Sequence, residues 1–322
     1  MRWFKAALYA LVVLVMATPT AAAASSTMHF RVFARTSIRL ADIVWTGQRF
    51  LYIENTANRI VAAGPTGMPY TPFATLPRQV EETRCVVAAG GHGFTAGDLY
   101  CHTPLNQVYR LSADGKTSTL LATLPHVVRA DGAIAFDTVG RLGYALIAAT
   151  GRSGGGTNRG GSVFAVSPQG QTRLLGRYDD PGGADEIAVA PADFGSAAGQ
   201  VLLAVDDGKT GTLVAMDAHG RTRTLLNLPD GPNPIVVLPP GQAPSGGPVQ
   251  AGLYVTDTLS RDVFFAPAGD LAPFAGSVLV GSELGGLFWA IRPSGNGFIA
   301  TKLSTNLTAK HYNLEGATYV AG

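Results

Sequence analysis

The chain is poor in cysteine, holding only Cys85 and Cys101 in 322 residues. That excludes a disulfide-stapled miniprotein and a cysteine-built zinc cluster, which needs more ligands. Charge is also scarce. Asp, Glu, Lys and Arg make up 14% of the residues, and 24 basic side chains nearly balance 22 acidic ones. Nucleic acid requires a basic face, and anionic lipid a basic surplus, so neither is an expected partner. The six histidines include no pair at zinc spacing; His92, His102 and His126 are lone candidates, with turn or surface residues as the alternative reading. No well-capped helix of useful length can be read.

Long apolar runs are confined to the start. Arg2 and Lys5 precede an apolar stretch, Ala6 to Ala17, followed by small residues up to Ala24. This pattern predicts a signal peptide over residues 1–24, cleaved after Ala24, with a retained anchor as the alternative. Past it no stretch reaches the ~18 apolar residues of a membrane span. Without Arg2 and Lys5 the remaining 298 residues carry 22 basic and 22 acidic groups. The expected location is secreted or periplasmic, and the expected state a monomer.

Glycine is abundant, at 40 residues, and one phrase recurs. It reads Ala74-Thr75-Leu76-Pro77, then Leu121 to Pro125, then Leu226-Asn227-Leu228-Pro229. The steps between the prolines are 48 and 104 residues, one and two units of about 50. A period of that size in a glycine-rich chain of short alternating strands predicts an all-β fold, a six-bladed β-propeller of four-stranded blades over residues 25–322. The inner strands of the first five blades are read at Ile43 to Thr46, Cys85 to Ala88, Ala133 to Phe136, Ile187 to Ala190 and Ile235 to Leu238. The fifth blade continues through Leu253 to Thr256 and Val263 to Ala266. The sixth is read as Leu287 to Ile291, Phe298 to Lys302 and His311 onward, one strand short; a seventh blade starting at Glu315 to Val320 is the alternative, with too few residues left to build it. His29 to Ala34 has the pattern of an outer strand and is expected to complete that sixth blade, closing the ring and covering a sheet edge.

Cys85 and Cys101 are symmetric about Gly93. A hairpin turning there sets them opposite each other, and an exported chain meets an oxidising compartment, so a disulfide is expected; two buried thiols are the alternative.

Oxygen donors gather where inner strands begin and where second strands turn into third strands. Asp131, Asp185 with Glu186, and Asn233 stand at strand starts. Glu54 with Asn55, Asn106, Asp206 with Asp207, and Asp257 stand in the turns. Hard cations such as Ca²⁺ take several such oxygens, although Asp and Asn are also ordinary turn residues. Asp131, Asp185 and Asn233 are therefore candidate metal ligands. Glu54, Asn106, Asp206 and Asp257 are candidate ligand-binding residues, and Asp131 and Asp185 candidate catalytic carboxylates that position or deprotonate water.

Asp131-Gly132-Ala133-Ile134-Ala135-Phe136-Asp137 resembles the strand-opening phrase of the gluconolactonase, regucalcin-like family and of NHL-repeat propellers. Leu253-Tyr254-Val255-Thr256-Asp257 with Arg261-Asp262-Val263 resembles their turn from second to third strand. The resemblance implies one divalent metal at the channel mouth, Ca²⁺ or another, held by a Glu, Asn residues and an Asp, and lactone hydrolysis as the activity. Asn233 and Asp131 match that pattern. The family's first Glu is replaced by Ala41-Asp42-Ile43, and Glu315-Gly316-Ala317 carries a similar phrase at the far end of the chain.

Two functions are expected from these readings. One is a metal-dependent hydrolase or lyase acting on a small molecule at the channel mouth. The other is a non-catalytic exported propeller that binds a small molecule or a protein. Gly151-Arg152-Ser153-Gly154-Gly155 matches a nucleophile motif in letters but lacks the following helix, so it reads as a loop. Trp45 and Trp289 are expected on neighbouring inner strands near the channel.

Overall fold

The computed structural model describes residues 27–78, 81–125, 132–151, 160–178, 183–206, 210–229, 231–241, 248–307 and 312–321. The expected signal segment, Asp131, Asp207, His126, His311 and the serine of the nucleophile-like motif lie outside them.

The chain opens with β1 (Thr27–Met28) and β2 (Arg31–Arg35), then builds four blades in simple succession. The first is β3 (Leu40–Trp45), β4 (Phe50–Glu54), β5 (Arg59–Ala63) and β6 (Tyr70–Thr75). The second is β7 (Arg84–Val87), β8 (Leu99–Thr103), β9 (Gln107–Leu111) and β10 (Ser118–Thr123). The third is β11 (Ala133–Phe136), β12 (Leu146–Ala149), β13 (Gly161–Val166) and β14 (Thr172–Tyr178). The fourth is β15 (Gly183–Val189), β16 (Val201–Asp206), β17 (Gly211–Met216) and β18 (Thr222–Leu228).

The last two blades interlock. The chain runs through β19 (Pro232–Val237), β20 (Gly252–Asp257), β21 (Asp262–Pro267), the one-turn α1 (Ala268–Leu271), β22 (Val278–Ser282), β23 (Phe288–Ser294), β24 (Gly297–Thr305) and β25 (Leu314–Val320). The fifth blade is β19-β22-β23-β24, with β1 added in parallel on its outer edge. The sixth is β25-β20-β21-β2. The ring therefore has six blades and is closed by the N-terminal strand, but that strand does not complete the blade holding Leu287 to Ile291. It pairs with Val263–Phe265, in the blade whose inner strand is C-terminal. The hairpin β20–β21, expected in the fifth blade, belongs to the sixth. Alternation along a strand marks it as a strand without saying which neighbour it joins. Here two chain ends, β2 and β25, each need a partner edge, and this hairpin supplies both.

Packing lies between blades. In β16 every residue from Val201 to Val205 is buried, because both faces of the strand are covered. Between the third and fourth blades, Ile147, Val163 and Tyr178 meet Ile187, Leu203 and Val214. The recurring phrase has a structural purpose. Leu76, Leu124 and Leu228 are all buried as the outer strand ends. The amides of Leu76 and Leu124 donate to the carbonyls of Asn58 and Asn106 at 2.7 and 2.8 Å, tying each outer strand to its own blade's second turn.

Cys85 and Cys101 are register partners on β7 and β8, with Cα atoms 4.1 Å apart, and are joined as a disulfide. The enclosed loop is short, so replacing both cysteines with alanine should lower stability by about 3 kcal/mol at most. Denaturant midpoints of the parent and the double variant measure it; identical midpoints would make the bond energetically idle. Trp45 lies half-buried at the end of β3, whereas Trp289 is buried on β23, the third strand of the fifth blade, so the expected tryptophan pair does not form.

Candidate functional site at the upper mouth

The six inner strands, β3, β7, β11, β15, β19 and β25, surround one channel and all begin on the same face, here called the upper face. Four of them start with a register shift: beside Ala41, beside Asp185, at Asn233–Pro234, and at Glu315–Gly316 opposite Thr256. A bulge places two residues against one and re-aims the side chains around it. Polar residues thereby interrupt the alternation that would otherwise face apolar side chains into the channel.

The outcome is a buried ring of ionisable groups that links successive blades. Arg84 donates through Nη2 to Glu315 at 2.7 Å and through Nη1 to the Ala41 carbonyl. Asn233 Nδ2 donates to the same Glu315 oxygen at 3.3 Å. Asp42 accepts from its neighbour Ile43 N–H at 2.7 Å and, across the blade boundary, from Cys85 N–H at 2.8 Å. Glu186 accepts from Ile235 N–H in the fifth blade. Gly316 must be glycine here, since a Cβ would lie 2.3 Å from an Asp42 oxygen.

Burial sets the protonation of this ring. It pushes Asp42 up to about 6, Glu186 to about 8 and Glu315 to about 7, with Arg84 pulling each partly back. Burial opposes the charge on Arg84, but Glu315, Glu186 and Asp42 more than offset it and hold its pKa above the usual value.

Above the ring, nearer the solvent, stand Asp185 on the bulge of β15, Asp206 at the end of β16 and Glu283 just past β22. Ligand oxygens from the three lie within 4.8 Å of one another. A Cβ on Gly231 would lie 2.2 Å from Asp206 Oδ2, so the glycine makes room for that carboxylate. Glu283 accepts from Asn313 Nδ2 at 3.1 Å, and burial, followed by the charges of Glu315, Asp206 and Glu82, pushes it up to about 7. Asn233 is 2% exposed, and its Oδ1 receives no hydrogen bond from the described protein groups.

Asp185, Asp206 and Asn233 thus fall in one region. The other sequence candidates sit in local structure. Glu54 is held by Arg59 at 2.8 and 3.0 Å. Asn106 occupies the turn after β8 at φ 59°. Asp257 accepts the backbone N–H groups of Leu259, Ser260 and Asn313. His102 is buried beside the Ala133 carbonyl and burial lowers its pKa to about 4. His92 stacks on Tyr144, ring centroids 3.7 Å apart, in loops of the opposite face.

Sequence reading missed Glu283 and Arg84. Glu283 follows the strand Val278–Ser282, the same strand-then-acid pattern that marks Asp206, but the short run Val278–Val280 does not by itself signal a strand. Arg84 had no signal, since nothing local distinguishes a buried arginine.

The chain is similar in fold to a solved streptogramin B lyase. The TM-score is 0.50 at 13% identity, over 86% of this chain and 73% of that one. A luciferin-regenerating enzyme superimposes with a TM-score of 0.48 at 12% identity, over 86% and 82% of the two chains. A 6-phosphogluconolactonase-like protein from Bacteroides uniformis gives 0.39 at 17%, over 57% and 53%. No protein-family model matches the sequence, and no curated protein does. At these identities the likeness concerns the fold.

Proposed function

We propose that this chain is an exported propeller whose upper mouth holds a divalent cation, Ca²⁺ or another hard ion, and uses it on a small molecule in the manner of a lactone hydrolase. The observation that carries this reading is the crowding of Asp185, Asp206 and Glu283 within 4.8 Å. Carboxylates that close repel one another, and a cation among them removes the repulsion. The donors are all hard oxygens, with the buried Asn233 Oδ1 one strand away, a set suited to Ca²⁺ or Mg²⁺ rather than zinc. Asp131 remains in the proposal as a third-blade donor on sequence grounds. A bound ion of this kind polarises a carbonyl oxygen; Asp185 or Asp131 would orient the attacking water. Export is supported by the leader pattern of residues 1–24 and by the Cys85–Cys101 bond, which persists in oxidising compartments. No helix among the described residues is long and apolar enough to cross a membrane.

A second reading, a propeller that binds without catalysis, is favoured by the lower ring. There Asp42 and Glu186 bond the backbone of the next blade and serve as staples.

Melting the mature protein with chelator and then with Ca²⁺ or Mg²⁺ separates the two. At a cation concentration a hundredfold above Kd, stabilisation of about 2.7 kcal/mol is expected. Asp206→Asn and Glu283→Gln should remove it, and chelator should stop turnover of simple lactones. Melting unchanged by any divalent ion would leave the binding propeller as the better reading.

A further inference from the structure

The ionic ring closes the channel like a diaphragm, and a second chamber lies beneath it. This cavity has a volume of about 840 Å³ and opens on the lower face, where the inner strands end. Its floor includes Asp42, Arg84 and Glu186. Its walls are mainly apolar, built from strand residues such as Val44, Val86, Ile134, Ile187 and Ile235; Thr138, Asp193 and Thr318 also line it, and Trp45 and Tyr319 stand toward the open end. Ligand pockets of about 300–1,000 Å³ combine apolar walls with a few convergent polar groups in this way.

The floor is unbalanced. Two carboxyl groups line it, Asp42 and Glu186, and with Glu315 behind them they share a single guanidinium. The two terminal nitrogens of Arg84 are committed to Ala41 and Glu315, and the amide nitrogen of Asn233 is committed to Glu315. Among the described residues, Arg84 Nε is the one donor of that guanidinium left buried without a partner, while Glu186 engages the backbone through Oε2 alone. An anionic head would meet carboxyl groups there, with the guanidinium already paired to Glu315. An ammonium brings three donors and a compensating charge.

We propose that the lower chamber is a binding site for an apolar small molecule carrying an ammonium head, which enters from the lower face and sets its head against Asp42 and Glu186. The site is separate from the proposed cation site, lying on the opposite side of the Arg84–Glu315 pair.

Calorimetry on the mature protein in chelator, with n-octylamine, n-octanol and n-octanoate as probes, tests it. Chelator makes the result independent of any ion at the upper mouth. Octylamine should bind at least about tenfold more tightly than octanol, and octanoate should not bind, a tenfold step being about 1.4 kcal/mol. Trp45 emission should shift on binding, and Trp45→Phe should remove that signal. Glu186→Gln should weaken the amine about tenfold and leave octanol unchanged. Ala317→Phe, which fills the shaft from β25, should abolish binding with melting retained; if that variant does not fold, Glu186→Gln decides. Equal affinity for all three probes, no binding of the amine, or undiminished amine binding by Glu186→Gln would each overturn the proposal.

Discussion

Removal of residues 27–35 is expected to open the ring at its seam and cost more than about 5 kcal/mol, the sum of at least two large buried side chains. The segment ties two blades together. Its β1 lies along β24 of the fifth blade, and its β2 forms the outer edge of the sixth. Between them Phe30 is 5% exposed, wedged against Phe264 and Phe288 with centroids at 6.5 and 5.4 Å. The Asn306 side chain clasps the Phe30 backbone at both ends, accepting from its N–H at 2.7 Å and donating to its carbonyl at 2.8 Å. Deletion also bares the edge of β21, an invitation to aggregation. Phe30→Ala probes the same seam in a full-length chain and should cost about 3–5 kcal/mol. Denaturant unfolding measures both. A Phe30→Ala midpoint within error of the parent would show that the seam is held elsewhere.

Arg84→Met is expected to destabilise the protein by about 3–5 kcal/mol near neutral pH, the usual consequence of removing one partner of a buried ion pair. The side chains of Arg84 and Glu315 are only 3% and 4% exposed, so water cannot replace the lost charge. The size of the effect should depend on pH. Unfolded carboxyls titrate near 3.8 for Asp42 and 4.5 for Glu186 and Glu315, whereas burial raises all three in the folded protein, even with Arg84 present. A raised carboxyl contributes stability below its unfolded value and loses it as pH climbs through its folded value. Without Arg84 those folded values rise further. The penalty should therefore be smallest near pH 4 and grow toward pH 8 and above. Adding Glu315→Gln to Arg84→Met should recover much of the loss, and the double-mutant cycle measures the coupling. A penalty that does not vary with pH would mean that the arginine acts through packing alone.

The period of the Leu-Pro phrase points to the propeller because each copy ends an outer strand on a buried leucine, pinned in the first two copies to its own blade's turn, and the strands between them give the blade count. The cysteine pair was legible for a similar reason, since two residues symmetric about one turn must face each other across a hairpin. Asp185, Asp206 and Asn233 could be picked out by their positions at strand ends. Their neighbours could not. Glu315 looked misplaced because it lies 273 residues beyond Asp42 in the chain, yet the ring makes the two strands adjacent.

The sequence by itself determined what depends on short-range order: strand against helix, turn positions, the repeat, the hairpin disulfide and the shortage of net charge. Tertiary structure alone decided which blade received the β20–β21 hairpin, which blade the N-terminus closed, and how Arg84 came to sit among Asp42, Glu186 and Glu315. Those choices rest on pairing between residues distant in the chain, such as Arg31 with Phe265 and Gly252 with Val320, and on bulges that turn single side chains inward. Alternation of period two is the same whichever neighbour a strand joins, so such long-range competition for edges leaves no mark in the local pattern.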